Sequence, residues 1–148
     1  GKMHDYKVDV AKSMLVLCAS ADMVVRYVNR APGIAFEVME LATSPLTAIL
    51  PGAVGVAENL IPEEGTLGVR IPDHEFCRRM LAGLKKPIVS TSANISGEAT
   101  PAGLAGVSRE VVDGVDFVVN PRFEGKPTKK ASAIIAFGEG GEVKIIRE

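Results

Sequence analysis

The residues best suited to chemistry lie together at Ser90, Thr91, Ser92, Asn94 and Ser96, directly after the apolar pair Ile88-Val89. Hydroxyls and a carboxamide, with neighbouring backbone N–H groups, can wrap phosphate oxygens without adding a fixed charge. Ligands of open α/β sheets bind beyond the carboxyl ends of strands, so this position fits a ligand loop. The same composition also fits a polar turn in which Asn94 and Gly97 take positive φ, and composition alone favours the turn. Arg70 ends the run Thr66-Leu67-Gly68-Val69. A guanidinium there can hold a carboxylate through two parallel hydrogen bonds, which an ammonium cannot, or can simply be an exposed arginine at a strand end.

Other chemistry is poorly served. His4 and His74 are far apart, with no Cys, Asp or Glu at metal-site spacing. His74 at a helix start reads as structural or solvated. Ser90 and Ser92 lack a Gly-x-Ser-x-Gly elbow and a histidine base, which argues against hydrolase chemistry. Lys126, Lys129 and Lys130 read as a solvated loop face rather than an RNA contact. The chain has 148 residues, 47% hydrophobic and 24% charged, with a net charge of −1. One compact domain with a core follows, and no global field attracts a polyanion. Two cysteines make neither a disulfide framework nor a zinc quartet, so a cytoplasmic location is expected. The uncharged stretch 41–57 is broken by Pro45, Pro51 and Gly52 and is too short for a membrane span.

The elements that must position these groups follow from periodicity. Strands are expected at 13–19, 46–50, 66–71, 88–91, 116–119, 131–137 and 143–146, the last two joined through Gly138-Glu139-Gly140-Gly141 as a hairpin. Helices are expected at 23–30 capped by Asp22, at 34–42, after a cap at Asp73, and at 101–114 with a new cap at Ser108. In the third helix Phe76, Cys77, Met80, Leu81 and Leu84 share one face. The segment 121–130 is expected to be a surface loop. The fold class is α/β (α+β), a twisted open mixed sheet with flanking helices.

Two linked blocks carry a resemblance. Thr66-Leu67-Gly68-Val69-Arg70-Ile71-Pro72-Asp73-His74 and Pro87-Ile88-Val89-Ser90-Thr91-Ser92-Ala93-Asn94-Ile95-Ser96-Gly97 resemble the signature of the YrdC-type threonylcarbamoyl-AMP synthase family. Ser44-Pro45-Leu46-Thr47 resembles that family's Gly-Pro-Leu-Thr strand, and Ile145-Ile146-Arg147 its terminal Leu-Arg element. The resemblance implies a cytoplasmic nucleotidyltransferase of tRNA modification. Such an enzyme condenses L-threonine, bicarbonate and ATP into threonylcarbamoyl-AMP and pyrophosphate, with Mg2+ expected on the triphosphate. It implies Thr66, Ser92, Asn94, Thr100 and Arg147 on ATP, and Arg70, Ser90 and Ser132 on L-threonine. RNA and tRNA-modification proteins are the further partners it implies.

The family's Pro-Thr-Asp/Glu-Thr strand and Lys-x-Arg pair have no match, so 1–148 is expected to be a single YrdC-like domain lacking those N-terminal elements. Leu17 stands where many synthases have histidine, and Ser13 where they have proline. Both changes resemble the YciO-type branch, so the alternative is a nucleotide- or double-stranded-RNA-binding protein without synthase activity.

Overall fold

The structure, a computed structural model, describes residues 14–95, 97–126 and 131–148. The chain divides into two compact units. One is the part up to Ser90 together with Ser132–Glu148, and the other is Thr91–Ala131.

The first unit is built on six strands: β1 (Leu15–Leu17), β2 (Leu46–Pro51), β3 (Thr66–Arg70), β4 (Ile88–Ser90), β5 (Ala133–Phe137) and β6 (Val143–Arg147). Their order across the sheet is β4-β1-β3-β2-β5-β6. β1 runs parallel to β3, and β2 parallel to β5, while β1–β4, β2–β3 and β5–β6 are antiparallel. The mixed sheet read from the sequence is the observed one. Gly138-Glu139-Gly140-Gly141 closes the β5–β6 hairpin, with Gly141 N–H donating to the Gly138 carbonyl at 3.0 Å.

Successive side chains on a strand alternate between faces, and register partners share a face. Val16, Ala48, Leu50, Leu67, Val69 and Phe137 therefore fall on one face, where all are buried. Helices α1 (Ala21–Val24) and α2 (Gly33–Leu41) supply Met23, Val24, Ala35 and Met39 to the same core. Burying each large side chain contributes about 1.5–3 kcal/mol, so this face holds the sheet and both helices together. The opposite face carries Leu15, Leu17, Thr66, Gly68, Arg70, Thr47 and Ile134, most of them half-buried.

Several local readings change. The first helix is capped by Ser20, whose Oγ accepts from Met23 N–H at 3.4 Å, and it ends at Val24 rather than Arg30. Val28 instead makes a bridge to Ala53, a tertiary contact that overrides helix propensity. Helix α3 (Glu75–Leu84) has His74 at its N-cap position, and Asp73 pairs with Arg78 at 3.3 Å. Leu81 is buried, but Met80 and Leu84 on the expected apolar face remain exposed.

In the second unit, the stretch expected as one helix is a 3-10 turn at Leu104–Gly106 followed by α4 (Arg109–Gly114), with Ser108 at its N-cap position. Gly103 and Gly106 lower helix propensity there. Residues 116–119 are not a strand, and Phe117 is 80% exposed. An apolar run becomes a strand only when a neighbour takes its backbone hydrogen bonds. The segment read as a loop opens with a 3-10 turn at Pro121–Phe123, capped by Asn120 Oδ1; Lys129 and Lys130 lie outside the described residues, as does Ser13.

Cys18 is fully buried, and burial pushes its thiol up to about 11; Cys77, partly exposed, is raised for the same reason. The thiolate is the reactive form. A thiol reagent at pH 8 should therefore modify Cys77 in the native protein and Cys18 only at the rate of unfolding, which mass spectrometry of labelled peptides measures. The raised value also means that the unfolded chain loses this proton first. The contribution of Cys18 to stability is thus complete below the ordinary thiol range and declines as pH rises through about 11.

Candidate functional site

Among the described residues, the buried polar side chains are Thr47 and Ser132, each 6% exposed, and they touch. Register explains the meeting. Ala48 pairs with Val69, so the preceding Thr47 lies beside Arg70 on the opposite face; Thr47 also pairs with Ile134, two residues beyond Ser132. Ile134 in turn pairs with Arg147 on β6. Four polar side chains from β2, β3, the start of β5 and β6 thus share one end of one face.

Their contacts are specific. Arg70 Nε and Nη2 donate to Thr47 Oγ1 at 3.4 and 3.1 Å, and Arg70 Nη2 donates to Ser132 Oγ at 2.7 Å. The Thr47 and Ser132 hydroxyls are 3.1 Å apart. Arg147 Nε donates to the Ser132 carbonyl at 2.9 Å, and its Nη2 lies 3.5 Å from Ser132 Oγ. Among the described residues neither guanidinium has a carboxylate partner, whereas Arg78, Arg79 and Arg109 each do. Burial, and then the charge of Arg147, push the Arg70 pKa down. Half-buried Arg70 beside exposed Arg147, with no counter-ion among the described residues, disfavours the empty state, and an anion reverses that cost. Among the described residues the Nη1 groups of both arginines make no hydrogen bond, which suits the planar fork of a carboxylate.

The expected site residues thus separate. Arg70, Ser132 and Arg147 come together, including the arginine expected on the nucleotide. Thr66 lies at the other end of β3 from Arg70, and Ser90 pairs with Leu15, whereas Arg70 is abreast of Leu17. Thr47 received no role from the sequence. The available signal was a lone hydroxyl in the apolar strand Leu46–Pro51, on the face opposite Ala48 and Leu50.

In the second unit, Ser92 and Thr100 are exposed. Asn94 Nδ2 donates to the carbonyls of Ile95 at 3.1 Å and Glu98 at 3.0 Å, tying a turn in which Gly97 has φ +88°. Gly97 thus takes the positive φ expected of the turn, whereas Asn94 does not and holds the turn through its side chain instead. The Asn94 Oδ1 is buried without a partner among the described residues. Among the described residues no three His, Cys, Asp or Glu side chains assemble a metal site, and no helix is long and apolar enough to cross a membrane.

The comparisons agree with this architecture. The Sua5/YciO/YrdC family model, described as "Telomere recombination", matches residues 6–148. The threonylcarbamoyl-AMP synthase of Idiomarina loihiensis is 30% identical over 112 residues, covering 74% of this chain. The match takes in 60% of that relative, so the chain corresponds to under two thirds of its length. The crystal structure of Pyrococcus abyssi Sua5 complexed with L-threonine aligns over 86% of this chain and 37% of its own, at TM-score 0.73 and 23% identity, a likeness of fold. A Methanobacterium thermoautotrophicum protein solved in solution aligns over 93% of this chain and 64% of its own, at TM-score 0.67 and 27% identity. A mixed six-stranded sheet of this order, matched along nearly its whole sequence by one family model, places the chain in the Sua5/YciO/YrdC family.

Proposed function

We propose that the protein is a threonylcarbamoyl-AMP synthase whose Arg70, Arg147 and Ser132 hold the carboxylate of L-threonine. The observation carrying this reading is the pair of guanidiniums on two buried hydroxyls with no acidic partner among the described residues. An α-carboxylate anchored there leaves the threonine amino group free to attack bicarbonate, forming the N–C bond of a carbamate as a C–O bond breaks and water leaves. A carbamate oxygen then attacks the α-phosphorus of ATP, and the bond to the β-phosphate breaks to release pyrophosphate. Such a transfer asks the protein mainly for alignment and charge neutralisation. ATP is assigned to Thr66, Ser92, Asn94 and Thr100, with Arg147 shared between the two ligands. Magnesium would arrive on the triphosphate, and no step is routed through it. The product would serve tRNA modification, where RNA and modification proteins are the natural partners.

The expected result is threonine-dependent pyrophosphate release from ATP and bicarbonate by the full-length protein. One observation favours a second reading, a YciO-like nucleotide- or RNA-binding protein. Leu17, abreast of Arg70 in the register, puts an apolar side chain where many synthases have histidine. Nucleotide or RNA binding without threonine-dependent turnover would decide for that reading.

A further inference from the structure

A glycine inside a strand gives up packing and chain entropy. Within a fold it is retained for a left-handed φ, for a bulge, or for a neighbour too close to admit a Cβ. Gly68, in the middle of β3, has none of these reasons among the described residues. Its φ lies outside the positive range, whereas Gly52 in the same unit has φ +80°. Its pairing with Ile49 belongs to an unbroken register that runs from Ala48 opposite Val69 to Pro51 opposite Thr66. A Cβ on Gly68 would meet Leu15 Cβ at 3.5 Å, and the Leu15 Cα and Met14 carbonyl oxygen at 3.9 Å, all ordinary contact distances. The fold has room for a side chain that the sequence withholds.

The remaining reason for a strand glycine is the close approach of a ligand, and the place of Gly68 on the sheet supplies it. Residues i and i+2 of a strand share a face about 7 Å apart. Gly68 is therefore next to Arg70, on the face that holds the Thr47–Ser132 cluster. Thr66 stands equally far on its other side. Leu15, the neighbour of Gly68 on β1, pairs with Ser90 of β4. Three residues expected on the substrates, Arg70, Thr66 and Ser90, thus surround one partly exposed position that carries no side chain.

We propose that Gly68 is a specificity-determining residue whose missing side chain forms the floor beneath the body of the amino acid held at Arg70. A methyl or larger group there would raise that floor and lift the ligand away from the guanidinium. The proposal rests on the reading of the arginine cluster as the amino-acid carboxylate site, and it adds the position that limits ligand size.

The test measures L-threonine binding by calorimetry, and thermal melting, on the full-length protein and its Gly68→Ala and Gly68→Val variants. Strands favour β-branched residues and the Cβ meets no obstacle, so both variants should melt at or above the parent temperature. Gly68→Val should weaken L-threonine about 10-fold or more, as overfilling a fitted site does, and Gly68→Ala by a smaller factor. Unchanged affinity in Gly68→Val would overturn the floor. A melting temperature several degrees lower in Gly68→Ala would also overturn it, because the glycine would then be structural. Should Gly68→Val fail to fold, Gly68→Ala decides by the same two readouts, with weaker L-threonine at an undiminished melting temperature supporting the proposal and any other result overturning it. Absence of L-threonine binding by the parent protein would overturn the carboxylate site and the floor together, and it is seen before any variant is made.

Discussion

Arg70→Ala should lower the affinity for L-threonine by at least 100-fold while leaving ATP affinity within a few-fold. Arg70 supplies the charge and the spare Nη1 donors, and it orients both buried hydroxyls. Charged hydrogen bonds contribute about 1.5–3 kcal/mol each, so losing two accounts for a factor of this size. Arg70→Lys should recover little, because an ammonium cannot hold Thr47, Ser132 and a carboxylate in one plane. Calorimetry with each ligand measures both effects, and equal losses on threonine and ATP would count against the assignment. Stability should move the other way. The charged form of Arg70 is disfavoured in the folded protein by burial and by Arg147. Its removal also leaves the Thr47–Ser132 contact in place. The Ala variant should therefore melt at or slightly above the parent temperature, and saturating L-threonine should raise the melting temperature of the parent alone.

The largest loss of stability is expected from Gly52→Ala. Gly52 follows β2 with φ +80°, a region that costs other residues about 1–2 kcal/mol. A Cβ there would overlap Asn29 Oδ1 and come within 2.7 Å of the Arg30 backbone nitrogen, which cannot rotate away. Gly52 N–H also donates to the Gly65 carbonyl, and its own carbonyl accepts from Asn29 N–H, so the turn cannot shift without breaking both bonds. Together these predict a loss of about 3 kcal/mol or more, or roughly 10 °C in melting temperature for a chain of this size. Gly83→Ala in α3 is the control. Its Cβ meets nothing within 4 Å, and helix propensity favours alanine. A Gly52→Ala protein that melts with the parent would refute the steric argument.

The elements were legible where the information is local. β2 announced itself as a short apolar run closed by Pro51 and Gly52, β3 by an imperfect alternation, and the β5–β6 hairpin by its glycines. The misreadings also have local causes. Asp22 and Asp73 are good capping residues, but each lies near another position that takes the cap. Residues 116–119 have the composition of a strand, but none of the described residues pairs with them as one. Composition also pointed to the turn at 94–97, with the positive φ found at Gly97 and not at Asn94.

The sequence by itself determined the mixed sheet and most of its strands, and marked Arg70 as a side chain suited to an anion, because apolar periodicity and side-chain chemistry are properties of single segments. Only the tertiary structure decided what surrounds that arginine. Thr47 lies 23 residues from Arg70, Ser132 lies 62 from Arg70, and Thr47 and Ser132 are 85 apart. Contacts at such separations are set by which strands pair and in what register. Shifting a strand by one residue would move its side chains to the other face, so the cluster exists only because the buried apolar face fixes the pairing.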